Sequence, residues 1–542
     1  MKDMKDFYNF FTVMDDDNPK LFFESDSPFN NLEEPSDEVS LCAKNIFGIK
    51  SLFPWQRLAI ANILDGVKEI KALETDAENS IPKDANEYKS GFVFEEDSNL
   101  RAKQIILLPT GAGKSLCFQV PAILLPRPTL IVYPLLALMS DQVRRLKEVG
   151  LEPVFLRGEQ TEKERNEALY RLENFQETGV KLIIANPEIL QSEKILQLLE
   201  KMEISHFAID EAHCVSEWGD SFRPSYLKLK NVIERISPKA VTAFTATASP
   251  SVLSRISEIL FDGQAHIVRG ETDRKNLHYF VKPCRVKKPA LLELIKICEK
   301  PLVIFASSRD GTEEIAAFLR YTFQNNEIKF YHAGLERAEK DACETWFNGA
   351  EQGILVATCA WGMGVDKKNI RTVIHYDAPT TLEAYVQEAG RGGRDGLISK
   401  AFLLWSKDDL TRLEKVPASS LARAKQVIEY ATTKTCRRKV LLKSLGDLNA
   451  SSKYTEMQEV YCSGCDICQK TAIYEAQDEK KLLCFLEKHK NIFTSYELAN
   501  YIISINTNWQ ANDIKELIRL LKKENKIIEN KNIFWKKRLT LS

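Results

Sequence analysis

At 542 residues the chain is too long for one hydrophobic core, and three or four domains are expected. With 44% hydrophobic and 28% charged residues it has the composition of a soluble globular protein, and its most apolar window, AILLPRPTLIVYPLLALM at 122–139, is spoiled as a membrane span by Pro126, Arg127, Pro128 and Pro134. The net charge of -1 hides an uneven spread: residues 1–40 hold eleven Asp/Glu against three Lys/Arg, and residues 476–542 hold thirteen Lys/Arg against eight Asp/Glu, so the tail is the end suited to meet phosphate.

The N-terminus, MKDMKDFYNFFTVMDDD, lacks a basic start, an apolar run and a small-residue cleavage site, so secretion is not indicated and a cytoplasmic or nuclear setting is expected. There thiols stay reduced, and clustered cysteines are better read as metal ligands than as disulfides. Residues 1–40 mix acidic runs with FYNFF and LFF, which predicts a loosely ordered extension whose aromatics dock on the body. The polar stretch at 72–99 predicts an inserted surface loop or hairpin.

From residue 100 onward, short apolar runs alternate with helix-length segments. QIILLP, TLIVYP, KLIIANP, HFAID and AVTAFTA form a first series, with helices such as SDQVRRLKEVG between them. A second series begins near residue 276 with PLVIFAS, IKFYHA, GILVAT and TVIHYD, spaced by segments such as DGTEEIAAFLRYTF. The fold class is therefore α/β, with two tandem parallel-sheet lobes over 41–275 and 276–410, and ligands are expected at the carboxyl ends of the strands.

LLPTGAGKSLCFQ places Thr110, Gly111, Ala112, Gly113, Lys114 and Ser115 between a strand and a helix starting near Ser115. Glycine-freed backbone N–H groups at a helix start make an anion cradle, a lysine reaches the β- and γ-phosphates, and a hydroxyl ligates Mg²⁺. The strict phosphate-loop pattern wants glycine where Leu108 stands. Asp210 and Glu211 end HFAID, which is expected to run beside the strand entering that loop. One carboxylate suits Mg²⁺ through its hydration shell, and its neighbour suits orienting or deprotonating an attacking water. In the second lobe QEAGRGGRDG spaces Gln387, Arg391 and Arg394 as on one face of a helix, so that arginines can reach across a cleft to a transferring phosphoryl group.

Cys436, Cys462, Cys465 and Cys468 have the spacing C-x25-C-x2-C-x2-C, which suits tetrahedral Zn²⁺; a C-x2-C-x2-C run also suits an iron–sulfur cluster. The other cysteines, Cys117 and Cys359 among them, sit in apolar contexts and are expected in the core. In the tail, EKKLLCFLEKHK, TSYELANYI and NDIKELIRLLKKENK predict three helices, the last two capped by a Thr or Asn, and KIIENKNIFWKK predicts a hairpin about Asn-Lys-Asn. Phe534 and Trp535 could wedge a base pair; anchorage of the hairpin to its own helices is the preferred expectation.

Taken in order, FGIKSLFPWQ (47–56), PTGAGKSLCFQVPA, YPLLALMSDQV, DEAHCVSEWGDSFRP (210–224), TAFTATA, YHAGL, ATCAWGMGVDK and QEAGRGGRDG resemble the RecQ family of superfamily 2 DNA helicases over roughly residues 45–470. The resemblance implies two RecA-like lobes, a structural zinc module over 411–475 and a winged-helix domain that binds duplex DNA over 476–542. It implies adenine recognition by Gln56, helped by Phe47 with Lys50 as a further candidate, coupling of the lobes through His213, Thr245 and Thr247, and a place near the nucleotide for Asp366. It also gives Trp218, Phe222 and Arg223, in the loop after the paired acids, the task of sensing single-stranded DNA. Stacking of bases on aromatic rings with an adjacent arginine is physically suited to that task. Two departures stand out: Phe53 replaces the family's usual Arg, and Asp220-Ser221 replaces His-Asp.

The function expected is an ATP-dependent DNA helicase that uses Mg²⁺-ATP and moves 3′ to 5′ on single-stranded DNA, serving repair, recombination or replication on forked or junction DNA. The rival readings are an RNA helicase and a DNA-binding protein whose ATP site is only a conformational switch. Neither membrane contact nor a particular protein partner is indicated.

Overall fold

Four to six consecutive apolar residues, bounded by Pro, Gly, Asp or Thr, become strands that are buried on both faces, as crossover helices require of a parallel sheet. The structure, a computed structural model, describes residues 37–542 except 80–101, 109–112, 159, 218–223, 247, 271–272, 362–366, 447–461, 463, 507 and 533, and leaves the side chains of 69–79 and 137 undescribed. Of the expected N-terminal extension over 1–40, residues 1–36 lie outside the described residues, as does most of the expected insertion, while residues 38–40 are helical rather than loosely ordered. Where that insertion was expected to begin, at residue 72, the chain is still helical, because the helix Pro54–Asn79 runs through it.

Residues up to Ser51 form a unit of their own. Its helix Glu38–Phe47 starts where the Asp37 side chain accepts the Ser40 N–H at 3.0 Å and stops at Gly48, whose φ of 68° ends the helix in the left-handed region.

In the larger unit the first sheet has strands β1 (Lys103–Leu107), β2 (Thr129–Val132), β3 (Val154–Leu156), β4 (Leu182–Ala185), β5 (His206–Ile209), β6 (Ala240–Thr245) and β7 (His266–Arg269). They run parallel in the order β3-β4-β2-β5-β6-β1-β7. β5 was expected beside the strand that enters the phosphate loop; instead β6 lies between β5 and β1. The second sheet has β8 (Leu277–Pro283), β9 (Leu302–Phe305), β10 (Ile328–Tyr331), β11 (Ile354–Ala357), β12 (Thr372–His375) and β13 (Ser399–Trp405), again parallel, in the order β10-β11-β9-β12-β13-β8.

The edge of this second sheet is closed by the cysteine segment. Tyr279 of β8 donates its N–H to the Gly464 carbonyl (3.2 Å) and accepts from the Asp466 N–H (3.0 Å), so the backbone groups of an edge strand are paired rather than left to water. The helix Ala418–Thr432 then packs Ala424, Val427 and Tyr430 into one apolar cluster with Tyr279, Tyr385 and Cys465. The cysteine module thus shares a core with the second lobe.

The tail has its own core, formed by the helices Gln477–Lys488, Ser495–Ile505 and Ala511–Lys523 with the antiparallel pair β14 (Ile527–Glu529) and β15 (Leu539–Leu541). Thr494 caps the middle helix in a reciprocal box with Glu497, as expected; the last helix is capped by Gln510 with Asp513, not by an asparagine. The hairpin loop is also wider than Asn-Lys-Asn. Residues 530–538 connect the strands; Phe534 is 82% exposed and so is not the anchor that was expected, while Trp535 is 48% exposed. Among the described residues, no helix is long and apolar enough to cross a membrane.

Candidate functional site

Between β1 and the next helix stands Gly113, which is fixed by its neighbour. Gly113 has φ of 70°, and a Cβ there would stand 2.6 Å from Gln56 Nε2, so only glycine serves. The Gln56 amide, 2% exposed, donates to the Gly113 carbonyl (3.3 Å) and accepts from the Phe53 N–H (2.8 Å), which ties the start of its helix to the loop. Lys114 and Ser115 follow and the helix Leu116–Leu124 begins, as expected. Thr110, Gly111 and Ala112 lie outside the described residues, and Phe47 belongs to the separate N-terminal unit.

The carboxyl end of β5 delivers the paired acids. The Asp210 N–H bonds the Val132 carbonyl (2.9 Å), and its Oδ1 accepts from the Glu211 N–H (3.0 Å). Glu211 is held at φ of 50°, a left-handed conformation that costs a non-glycine residue free energy and is kept by the Ala212 N–H bond to the Phe244 carbonyl (2.7 Å). The turn aims Glu211 Oε1 at Lys114 Nζ, 3.2 Å away. His213 Nδ1 lies 3.3 Å from Glu211 Oε2 and 3.2 Å from Thr245 Oγ1.

Burial and charge act in opposite directions here. Burial pushes the Asp210 carboxyl up to about 6 despite Lys114. Burial acts the same way on Glu211, but the charges of Lys114, His213 and Arg391 outweigh it and hold that carboxyl below its ordinary value. For Lys114, burial favours the neutral amine, yet Glu211 and Asp210 raise its pKa, while Arg394 opposes them. Two carboxylates with opposed shifts and one cation therefore meet at the carboxyl ends of β5 and β1, across the intervening β6.

The arginines come from the second lobe, close enough for Arg391 to sense Glu211 and for Arg394 to sense Lys114. They do not continue a helix with Gln387, as their spacing suggested. The helix Leu382–Ala389 ends before them, Gly393 turns the chain with φ of 55°, and only Gln387 remains helical. Arg391, 4% exposed, lies over the Trp361 ring at 5.8 Å, and burial with the nearby Arg394 brings its pKa down to about 10. Glu388 offsets part of that cost and accepts at 3.0 Å from His375.

Cys436, Cys462, Cys465 and Cys468 bring their sulfurs within 4.8 Å of one another. A tetrahedral zinc–thiolate site has sulfurs about 3.8 Å apart, so four thiols at this spacing fit Zn²⁺. The Cys468 N–H points at Cys465 Sγ (3.4 Å), and together with the Arg437 N–H it outweighs burial and lowers that thiol's pKa, which favours the thiolate form that binds metal. Among the remaining cysteines, Cys117 is buried, its thiol pushed up to about 12 by burial, but Cys359 and Cys484 are exposed, contrary to expectation.

Trp218, Phe222, Arg223, Thr247 and Asp366 lie outside the described residues. Sequence reasoning passed over Arg437, whose Nε bonds Asp466 Oδ1 at 2.6 Å with both side chains buried, and over Arg438, equally buried. The available signal was an Arg-Arg pair directly after a ligand cysteine.

Three protein-family models match in succession: DEAD/DEAH box helicase over residues 94–256, helicase conserved C-terminal domain over 286–396, and RecQ zinc-binding over 400–469. The probable ATP-dependent DNA helicase RecS of Bacillus subtilis (strain 168) is 35% identical over 364 residues, covering 65% of this chain and 72% of that relative. The chain belongs to the RecQ family. The ATP-dependent DNA helicase RecQ of Pasteurella multocida (strain Pm70) is 34% identical over 383 residues, 69% of this chain but 58% of the relative, so this RecQ-family chain spans less than two thirds of that protein. The solved DUF1998 helicase MrfA bound to DNA and AMPPNP aligns with 76% of this chain and 57% of its own at 18% identity and a TM-score of 0.51, a likeness of fold.

Proposed function

We propose that this RecQ-family chain is an ATP-dependent DNA helicase that hydrolyses Mg²⁺-ATP between its two lobes and moves 3′ to 5′ along single-stranded DNA. One observation carries the reading: a lysine and two carboxylates from the first lobe converge with Lys114 Nζ 3.2 Å from Glu211 Oε1, and arginines of the second lobe lie within electrostatic reach.

In this reading Gly113, Lys114 and Ser115 hold the phosphates, and Gln56 recognises adenine. Asp210 and Ser115 would hold Mg²⁺, which supplies charge neutralisation at the β- and γ-phosphate oxygens. Glu211, kept ionised by its neighbours, orients a water and takes its proton; Arg391 and Arg394 meet the charge that develops on the phosphoryl group. His213 and Thr245 register the state of the site. Trp218, Phe222 and Arg223 would stack on an unpaired strand, and Cys436, Cys462, Cys465 and Cys468 would hold a structural Zn²⁺.

An unwinding assay across forks, tailed duplexes, four-way junctions and RNA hybrids with ATP and Mg²⁺ tests the reading. Strand separation of DNA that disappears in Lys114→Ala supports it. Equal ATP turnover with and without DNA would sink it, and preferential stimulation by RNA would transfer the protein to the RNA-helicase class.

A further inference from the structure

The helix Leu382–Ala389 holds the turn that carries Arg391 and Arg394 by its N–H groups, Arg391 donating to the Glu388 carbonyl (3.2 Å) and Gly392 to that of Ala389 (3.0 Å). The turn's carbonyls are gathered by one side chain from the segment before β8: Arg274 donates through Nη1 to Gly390 (3.4 Å) and through Nη2 to Gly392 (3.1 Å) and Gly393 (2.7 Å). Asn276 completes the collar, donating to the Gly393 and Leu397 carbonyls at 2.7 and 2.8 Å and accepting from Arg274 Nε at 3.3 Å. The turn has no slack for another arrangement, since a Cβ on Gly392 would stand 2.3 Å from Ser399 Oγ and one on Gly393 2.5 Å from the Leu397 carbonyl. A planar guanidinium can serve three carbonyls at once; an ammonium of similar reach cannot keep that geometry.

The clamp is itself clamped. Arg438, 1% exposed and two residues after Cys436, pairs with Asp273, donates to the Arg274 carbonyl (3.0 Å) and to that of Leu277, and reaches the Cys462 sulfur. A polar path therefore runs from Cys462 of the zinc module through Arg438 to Asp273-Arg274, and from Arg274 to the backbone on either side of Arg391.

We infer that Arg274 and Arg438 are positioning residues that set the Arg391–Arg394 turn, so that the zinc module fixes the geometry of the arginines facing the nucleotide site. This rests on the reading of Arg391 and Arg394 as nucleotide-facing groups. Their effect on that site passes through the turn. Loss of either clamp lowers kcat and leaves nucleotide affinity in place, because the phosphate loop and Gln56 are held by separate contacts in the first lobe.

The test uses the full chain and five variants: Arg274→Gln, Arg274→Lys, Arg438→Gln, the Arg274→Gln/Arg438→Gln double variant, and Arg394→Gln as reference. Turnover is measured against ATP with an oligodeoxythymidine present, alongside binding of a fluorescent ADP analogue, DNA-binding anisotropy and zinc content. Arg394→Gln is expected to lose about 100-fold or more in kcat, as removal of a donor to developing charge does. Arg274→Gln is expected to lose about 10-fold or more, with analogue affinity within about twofold and zinc retained. Since the two clamps act in series, the double variant should fall no more than about threefold below the weaker single variant. Arg274→Lys, which keeps the charge but loses the fork, should be intermediate.

Turnover within about twofold of the unaltered protein in Arg274→Gln or Arg274→Lys, beside an inactive Arg394→Gln, overturns the clamp and leaves the arginine reading intact. Losses in Arg274→Gln and Arg438→Gln that simply multiply overturn the serial link. Full turnover in Arg394→Gln overturns the nucleotide-facing reading, and the clamp with it.

Discussion

Lys114 and Glu211 are ion-paired at 3.2 Å with both side chains largely buried, and each sustains the other's charge against the surrounding desolvation. Removing one partner therefore damages the other. Lys114→Ala should abolish ATP turnover, by about 100-fold or more, and leave Glu211 with burial no longer opposed by its strongest cation. Glu211→Gln should retain nucleotide binding and lose turnover. Steady-state ATPase assays with parallel equilibrium binding of a fluorescent ADP separate the two effects.

Trp218 and Arg223 follow Glu211 by seven and twelve residues, so contact with an unpaired strand can be passed along one continuous segment. Trp218→Ala or Arg223→Ala should keep basal ATP binding and lose the stimulation of hydrolysis by single-stranded DNA. Turnover measured across an oligonucleotide titration checks this; stimulation equal to that of the unaltered protein removes the coupling role.

Asp466 sits between two of the zinc-module cysteines and accepts from Arg437 Nε at 2.6 Å, from the Val281 N–H at 3.0 Å and from the Ile467 N–H at 2.8 Å. Asp466→Ala leaves a buried guanidinium without its counter-charge and should destabilise the junction of second lobe and module by about 3–5 kcal/mol. Denaturant unfolding gives the change, and elemental analysis should show about one zinc per chain in the unaltered protein.

Glu524 joins the tail to the second lobe through Arg285 and Lys407. Burial pushes its carboxyl up, but Lys407, Arg285 and Lys526 prevail and bring it down to about 2. A depressed folded-state value means the contribution to stability is complete above the ordinary carboxylate range, fades as pH falls through that range, and is gone below about 2. The difference in thermal midpoint between the unaltered protein and Glu524→Gln should accordingly be constant from pH 7 to about 5.5 and shrink on further acidification.

The central strands were legible because continuous apolar runs such as TLIV, HFAI and ILVA are buried at every position. β3, β7, β8 and β13 escaped notice for the opposite reason: three residues are too few for a pattern, and the other strands alternate or stay half exposed instead of forming a continuous buried run. Strand order is a property of non-local pairing, and nothing in HFAID marks β6 as its neighbour on the way to β1. The acids, the lysine and the cysteine quartet could be read from their spacing, since that chemistry demands particular residues a few positions apart. The arginine turn was misread as helical by the same reliance on spacing, although Gly390, Gly392 and Gly393 mark where a helix ends. Arg274 left no mark at all, because its partners are carbonyls that every sequence possesses.

The placement of β6 between the phosphate-loop strand and the acid strand has a mechanical corollary. With neighbouring strands about 4.8 Å apart, Thr245 at its tip sits at the midpoint of a rim about 10 Å wide, within touch of His213 on one flank and hydrogen-bonded through its carbonyl to Leu108 on the other. A single displaced ribbon would thus tilt cation and carboxylate against each other like a rocker under two pans, letting occupancy on one side be weighed on the other.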